Sequence, residues 1–340
     1  MNQQARICVI GCGHWGTNLA RNFAQLGYLA GICEADPVRL QSFAEKYPSA
    51  RPFGGFQDVL ADPGIDAVAL ATPAEQHYSM AMQALSTGKD VFVEKPLALE
   101  WEDGTRMVEA AKQAGRLLMV GHLLRYHPAI VRIEQLLGEN VLGKIEYIYS
   151  NRLSMGKIRR EENALWSFAP HDISVILALT RRMPIQVTAT GGAYLQPNIA
   201  DVTVSHLLFD HGVRAHIFVS WLHPYKEQRL VIIGSKQMLV FEDSRPENKL
   251  LLYDKTIAWK DGIPEAGKTQ AAPVAFEGAE PLRLECAHFA DCVLNRQTPR
   301  TTGEEGVQVL QVLQACQRSL QMNGEPVQVA ALASQPLRTL

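Results

Sequence analysis

Along the first third of the chain, apolar residues recur in two alternating rhythms. Ile7 to Ile10 is a continuous apolar run, Asn18 to Leu26 has helical spacing, Leu29 to Cys33 is apolar again, and Pro37 to Tyr47 is again helical. The alternation continues through a strand at Ala67 to Ala71, a helix at His77 to Ser86, a strand at Val91 to Val93, a helix at Trp101 to Ala114 and a strand at Leu117 to Val120. Such a βαβα order predicts an α/β fold: a doubly wound parallel sheet with helices on both faces and right-handed crossovers.

After about Tyr126 the grammar changes. A helix at Pro128 to Leu137 is followed by segments of period two: Ile145 to Leu153, Ile185 to Tyr194, Val202 to Phe209, Arg214 to Trp221, Arg229 to Ile233 and Met238 to Glu242. Asp210-His211-Gly212 reads as a tight hairpin connection. The spacing predicts a second, α+β domain with a large open, mostly antiparallel sheet. Helices at Pro170 to Leu179, Glu280 to Asn295 and Gly303 to Leu320 back it, and Gly262 to Ala275 reads as a loop. The boundary is drawn at 124/125, giving a dinucleotide-binding domain over 1–124 and a substrate-binding and oligomerisation domain over 125–340.

A length of 340 residues fits two domains. The net charge of −2, with both signs interspersed, argues against a nucleic-acid or anionic-membrane partner and for a small molecule. The start of the chain lacks the pattern of a signal peptide, and no apolar run reaches the ~18 residues needed to span a bilayer. The six cysteines form no C-x-x-C pair. Together these point to the cytoplasm and to reduced thiols.

Gly11-Cys12-Gly13-His14-Trp15-Gly16 fits G-x-G-x-x-G between a strand and a helix. Gly11 permits the tight turn, Gly13 lets the backbone approach a pyrophosphate, and Gly16 lets helix and strand pack closely. Eighteen residues beyond Gly16, Glu34 ends the second strand, where a carboxylate accepts hydrogen bonds from the ribose hydroxyls and repels a 2′-phosphate. That favours NAD over NADP, with Asp36 as a rival for the same role. Ala71-Thr72-Pro73 ends the next long strand and His77 follows, a wall for the nicotinamide side of the cofactor.

Glu94-Lys95-Pro96 comes where Val91-Phe92-Val93 runs out, at the sheet edge where such folds bind ligands. An amine there, partly desolvated and near a cationic ring, favours its neutral form and is able to accept a hydroxyl proton. Arg125 has two readings, an anchor for a phosphate or carboxylate and a partner for Glu94. Trp166-Ser167-Phe168-Ala169-Pro170-His171-Asp172 opens a helix with Pro170 near its first turn, so His171 is a proton carrier at a helix start and Asp172 orients it or a sugar hydroxyl. Asn151, Arg152, Lys157, Arg159 and Arg160 are either an anion site or a solvated loop offset by Glu161 and Glu162. His206, His211, His216 and His223 lack ligand spacing, so no metal is expected.

This set resembles the glucose-fructose oxidoreductase and inositol dehydrogenase (Gfo/Idh/MocA) family, through Gly11 to Gly16, Glu34, Ala71-Thr72-Pro73 with His77, Gly88 to Leu97 and Gly121 to Pro128. The resemblance implies that Lys95 and His171 flank the substrate carbon facing the nicotinamide, and that the Lys95-Pro96 peptide is cis. It also places Trp166 beside the cofactor and Tyr126 beside the substrate. Family members commonly carry Asp four residues before and three after the histidine; this chain has Ser167 and Ser174.

The stretch from Tyr149 through Asn163 to Ser174 is similar to the nucleotide-sugar 3-dehydrogenase branch. This implies oxidation of the C3 hydroxyl of UDP-N-acetylglucosamine, with Arg152, Lys157, Arg159, Asn163 and Asp172 on the substrate. The 3-keto product then feeds an aminotransferase making 3-amino sugars for lipid A or surface polysaccharide. Alternatives are the C6-oxidised uronate as substrate, a free-sugar or inositol dehydrogenase, and a non-catalytic NAD sensor. The long patterned sheet and the resemblance both imply a homo-oligomer, a dimer or tetramer.

Overall fold

The computed structural model describes residues 4–329. The chain opens with β1 (Ile7–Ile10), α1 (His14–Leu26), β2 (Leu29–Cys33), α2 (Pro37–Lys46), β3 (Arg51–Phe53), α3 (Phe56–Ala61), β4 (Ala67–Leu70), α4 (Ala74–Ser86), β5 (Asp90–Glu94), α5 (Trp101–Ala114) and β6 (Leu118–Gly121). The strands form one six-stranded sheet in the order β3-β2-β1-β4-β5-β6 with every neighbouring pair parallel. All residues of β1, β4 and β5 are buried, which is why these strands read as continuous apolar runs. Strand order reverses between β1 and β4, so ligands are expected beyond the carboxyl ends of these strands.

A single 3₁₀ turn, Leu123–Tyr126, follows. Next come α6 (Pro128–Gly138), β7 (Ile145–Leu153), α7 (Ala164–Thr180), β8 (Gln186–Gly192), β9 (Val202–Leu208), β10 (Arg214–Ser220), β11 (Glu227–Gly234), β12 (Gln237–Glu242), β13 (Leu250–Asp254), β14 (Ile257–Lys260), β15 (Ile263–Ala266) and β16 (Ala271–Pro273). The chain ends with α8 (Pro281–Asn295), α9 (Gly303–Gln321) and β17 (Val327–Gln328). Nine strands make the second sheet, β16-β13-β12-β11-β7-β10-β9-β8-β17, antiparallel throughout except for β7 against β10. Ile148, Val187, Leu207, Ala215 and Ile217 are buried, while Tyr147, Thr188, His206, Leu208 and His216, at alternate positions, are not.

The chain divides into two compact units, residues 4–126 with Ala279–Leu310, and His127–Gly278 with residues 311–329. Sequence reading draws one boundary at 124/125; the structure divides after Tyr126 and returns α8 to the first unit. The reason is packing: the Phe289 ring lies 5.6 Å from Phe92 of β5 and 6.4 Å from Phe23 of α1, and Arg21 pairs with Glu280 at 2.5 Å. Amphipathic spacing marks a helix as packed but does not say against which sheet.

Two local expectations are corrected. The helix expected from Pro170 begins at Ala164, because Asn163 caps it by accepting the Trp166 N–H at 3.2 Å. Pro170 therefore lies inside α7, where a missing donor costs about 3 kcal/mol. Burial of Leu165, Ala169, Ile173 and Ile176 offsets this, at roughly 1.5–3 kcal/mol for each large side chain. The stretch read as a loop, Gly262 to Ala275, carries the strands β15 and β16, and β15 pairs with β14 just before it in a hairpin turned by Asp261 (φ 51°) and Gly262 (φ 79°), an Asp-Gly pair suited to a two-residue turn.

Candidate functional site

In the first unit the glycine turn is shaped by contacts that exclude side chains. Gly11 has φ +86°, and a Cβ at Gly16 would fall 1.8 Å from the Gly11 carbonyl oxygen. At Gly13 nothing among the described residues lies within 4 Å of that position, leaving open space above the turn. Among the described residues no side chain caps α1 and no acidic residue sits in its first turn, so its leading amides suit an anion. His14 is exposed and Trp15 half-buried, edge-on to each other at 6.0 Å.

Glu34 reaches back to this turn. Its carboxylate accepts from the Cys12 N–H at 2.8 Å and the Asp36 N–H at 3.0 Å, and Arg39 stands 3.5 Å away. Asp36 instead caps α2, accepting from Val38 and Arg39 N–H groups at 2.9 and 3.2 Å. The structure thus separates two carboxylates that sequence left as rivals: Glu34 faces the turn and Asp36 serves the helix. The glycine cradle, the uncapped α1 amides and Glu34 fit a dinucleotide's pyrophosphate and ribose. Cys12 is no nucleophile, since burial first and Glu34 second push its thiol up to about 12.

At the next strand ends, buried His77 ties two turns together. Its Nδ1 lies 2.7 Å from the Pro96 carbonyl and its Nε2 2.9 Å from the Thr72 carbonyl. Thr72 is half-buried and Pro73 exposed, where α4 starts. The Lys95-Pro96 peptide is cis. Lys95 is half-buried, and Glu94 before it is buried, its carboxyl raised to about 7 by burial against the lowering effect of Lys95. Arg125 is buried and pairs with Glu305 at 3.3 Å, a partner sequence reading did not foresee. Tyr126, expected at the substrate, is 4% exposed, with its hydroxyl 3.3 Å from Thr301 Oγ1.

In the second unit, Arg152 and Asp172 are committed to each other. Arg152 donates to Asp172 through Nε at 2.7 Å and Nη2 at 3.0 Å, and Ser150 Oγ donates to the same carboxylate at 2.6 Å. Burial disfavours the Arg152 cation, but Asp172 more than offsets this and holds the guanidinium above its ordinary range. Arg159 pairs with Glu162 at 2.9 Å and Glu161 at 3.6 Å; Lys157 and Arg160 are exposed. Asn163 Nδ2 and Trp166 Nε1 both donate to Gln317 Oε1, at 2.8 and 3.2 Å, so these two side chains hold α7 to α9. His171 is half-buried in the interior of α7, not at its start, so the helix N-terminus exerts no pull on it.

Two models describe this sequence: the oxidoreductase family with NAD-binding Rossmann fold matches residues 5–122, and the GFO/IDH/MocA C-terminal domain matches residues 130–240. The chain belongs to the Gfo/Idh/MocA oxidoreductase family. It is an NAD-binding oxidoreductase, and its relatives include sugar and inositol dehydrogenases. It is 28% identical to scyllo-inositol 2-dehydrogenase (NAD(+)) of Bacillus subtilis, covering 97% of each chain. It is also 28% identical to UDP-N-acetylglucosamine 3-dehydrogenase of Acidithiobacillus ferrooxidans, over 90% of this chain and 94% of that protein. The solved structure of the latter superposes with a TM-score of 0.82 at 25% identity, covering 94% of this chain and 98% of that one. The WlbA dehydrogenase of Bordetella pertussis, solved with NADH and UDP-GlcNAcA, matches with a TM-score of 0.78 at 25% identity over 99% and 100%. Among the described residues, no helix is long and apolar enough to cross a membrane.

Proposed function

We propose that this protein oxidises the C3 hydroxyl of a UDP-linked N-acetylamino sugar, UDP-N-acetylglucosamine, with NAD⁺ as acceptor. The observation that carries this reading is the near full-length likeness, in sequence and in fold, to UDP-N-acetylglucosamine 3-dehydrogenase. When bound, NAD⁺ supplies the hydride acceptor. The chain supplies alignment: the Gly11–Gly16 turn and α1 amides hold the pyrophosphate, and Glu34 the adenosine ribose. Lys95, at the end of β5, accepts the proton of the C3 hydroxyl, and His171 is the second candidate for proton work on the substrate. Within the basic stretch, Lys157 and Arg160 are exposed and offer charge to phosphate. The resulting 3-ketone is a substrate for an aminotransferase.

A second reading, dehydrogenation of an uncharged polyol, is supported by a specific feature. Arg152 and Arg159, the two arginines expected to meet the diphosphate, are neutralised by Asp172 and by Glu161 and Glu162. Incubating the enzyme and NAD⁺ with UDP-N-acetylglucosamine, its uronate or scyllo-inositol, and following NADH and the keto product, decides among them. The first reading expects turnover on UDP-N-acetylglucosamine at least tenfold above the others; turnover confined to scyllo-inositol overturns it.

A further inference from the structure

Behind the Glu94-Lys95-Pro96 turn, the first unit buries a second carboxyl that the proposed chemistry does not use. Glu285 of α8 is 0% exposed, and neither of its oxygens has a hydrogen-bond partner among the described residues. An ionised carboxylate in that position is prohibitively desolvated, whereas a protonated acid is tolerable.

Its position follows from the periodicities of the two elements. The rings of Phe92 in β5 and Phe289 in α8 lie 5.6 Å apart, so these faces of strand and helix meet. Glu94 is two residues beyond Phe92, on the same face of the strand, and Glu285 is one turn before Phe289, on the same face of the helix. A Cβ built on Gly121 would stand 3.1 Å from both Phe92 Cζ and Glu94 Oε2, which confirms that those two side chains share a side of the sheet. The two carboxyls are close enough to interact: Glu94 reinforces the upward shift that burial imposes on Glu285.

Few other charges reach this place. From the 3₁₀ turn come Arg125, paired with Glu305, and Tyr126, whose hydroxyl is raised by burial first and by Glu285 further. From the end of β6 comes His122, buried, lowered to about 3, with both ring nitrogens lacking a partner among the described residues. On α8 itself are Cys286, a thiol raised by burial and then by Glu285, and His288, lowered by burial; Arg300 stacks over Tyr126. None is a cation aimed at Glu285. Lys95 is the neighbouring cation that favours ionised Glu94.

We propose that Glu94 and Glu285 form a buried, electrostatically coupled carboxyl pair that, once Glu94 has ionised, holds one proton between its two members, and that Glu285, by keeping that proton, is a positioning residue that places the pair's one negative charge on Glu94, beside Lys95. Two carboxylates in one dry site cannot both ionise, and the one with a cationic neighbour ionises first, here Glu94 at about pH 7. The pair thereby presents a fixed anion behind the lysine, favouring its charged form after it accepts a proton. The effect on Lys95 rests on the proposed role of that residue; the proton kept by Glu285 does not.

The test is infrared spectroscopy of the whole protein, without substrate, between pH 5 and 9, in wild type, Glu285→Gln and Glu94→Gln. Wild type is expected to show one buried protonated carboxyl at pH 9 and a second appearing near pH 7. Glu285→Gln should lose the one present at pH 9 and keep the transition; Glu94→Gln should keep the first and lose the transition. A wild-type spectrum with no protonated carboxyl at pH 9, or a Glu285→Gln spectrum that retains it, overturns the proposal. For the positioning role, the acidic limb of the pH profile for NAD⁺ reduction should move to lower pH in Glu94→Gln, and an unmoved limb overturns that role. Should Lys95→Met retain turnover, the assignment of Lys95 fails while the infrared result is untouched.

Discussion

His77 Nδ1 stands 2.7 Å from the carbonyl oxygen of Pro96, and through its other ring nitrogen, 2.9 Å from the Thr72 carbonyl, it binds the end of β4 to the turn that carries Lys95. Neutral imidazole has one N–H, so it donates to one carbonyl and holds the other less well. Burial lowers its proton affinity and the two carbonyls raise it, with burial winning. Replacing His77 with Ala should leave buried carbonyls unsatisfied and cost about 1–3 kcal/mol. Thermal unfolding measures that cost. Because the turn is loosened, kcat should fall together with stability, and a variant with intact stability and reduced affinity for NAD⁺ alone would contradict the bracing role.

Lys95→Met should remove the proposed proton acceptor without touching the glycine turn or Glu34. We expect kcat to fall by roughly 10²–10⁴-fold while the NAD⁺ dissociation constant, measured by fluorescence titration, stays within about twofold of wild type. Undiminished turnover would reject the assignment.

Gly16→Ala places a methyl 1.8 Å from a backbone oxygen, a clash that no rotamer relieves. Either α1 moves from β1 or the turn opens, and both disturb the turn proposed to cradle the phosphates. The stabilisation that saturating NAD⁺ confers in a thermal melt should vanish in this variant. In Gly13→Ala, with open space around the added carbon, the unliganded protein should melt as wild type does.

Asp172→Asn should be more damaging than removal of both partners. Alone, it leaves the Arg152 guanidinium buried beside a neutral amide, a loss of about 3–5 kcal/mol for a broken buried pair. Combined with Arg152→Met, which takes away the stranded charge, part of that loss should return. Denaturant unfolding of the two single variants and the double variant closes the cycle, and simple additivity would mean the pair is not coupled.

Stability should fall as pH rises through the Glu94 titration. Its carboxyl goes from an ordinary 4.5 to about 7 in the folded protein, so the folded state binds the proton more tightly. That preference is fully present below pH 4.5 and is lost as pH climbs to about 7, a change on the order of 3 kcal/mol. Glu94→Gln should flatten this part of the stability profile, as measured by melting between pH 5 and 8.

Much of the first unit was legible because four of its strands, β1, β4, β5 and β6, are buried on both faces and its helices on one, so hydrophobic rhythm and topology coincide; α5 runs from Trp101 to Ala114 as the pattern predicts. Short or exposed elements were not. β3, of three residues, and β14 and β15, wholly exposed, bury too little apolar surface to leave a periodic trace. Pro170 misled because a proline ordinarily marks a helix start, and only the packing of α7 tolerates one inside.

The sequence by itself determined the kind of chemistry. A glycine turn between strand and helix, an acidic residue ending the second strand and a lysine ending a later one are local features, since each depends on the chain's own conformational limits and spacing. Tertiary structure decided which charges remain available. Whether Arg152 meets a ligand or Asp172, whether Arg125 faces Glu94 or Glu305, and whether Glu285 is a surface acid or a buried partner for Glu94 all depend on elements far apart in sequence. Charge in a folded protein is set by pairing and desolvation, and both belong to the packed state, not to the order of residues.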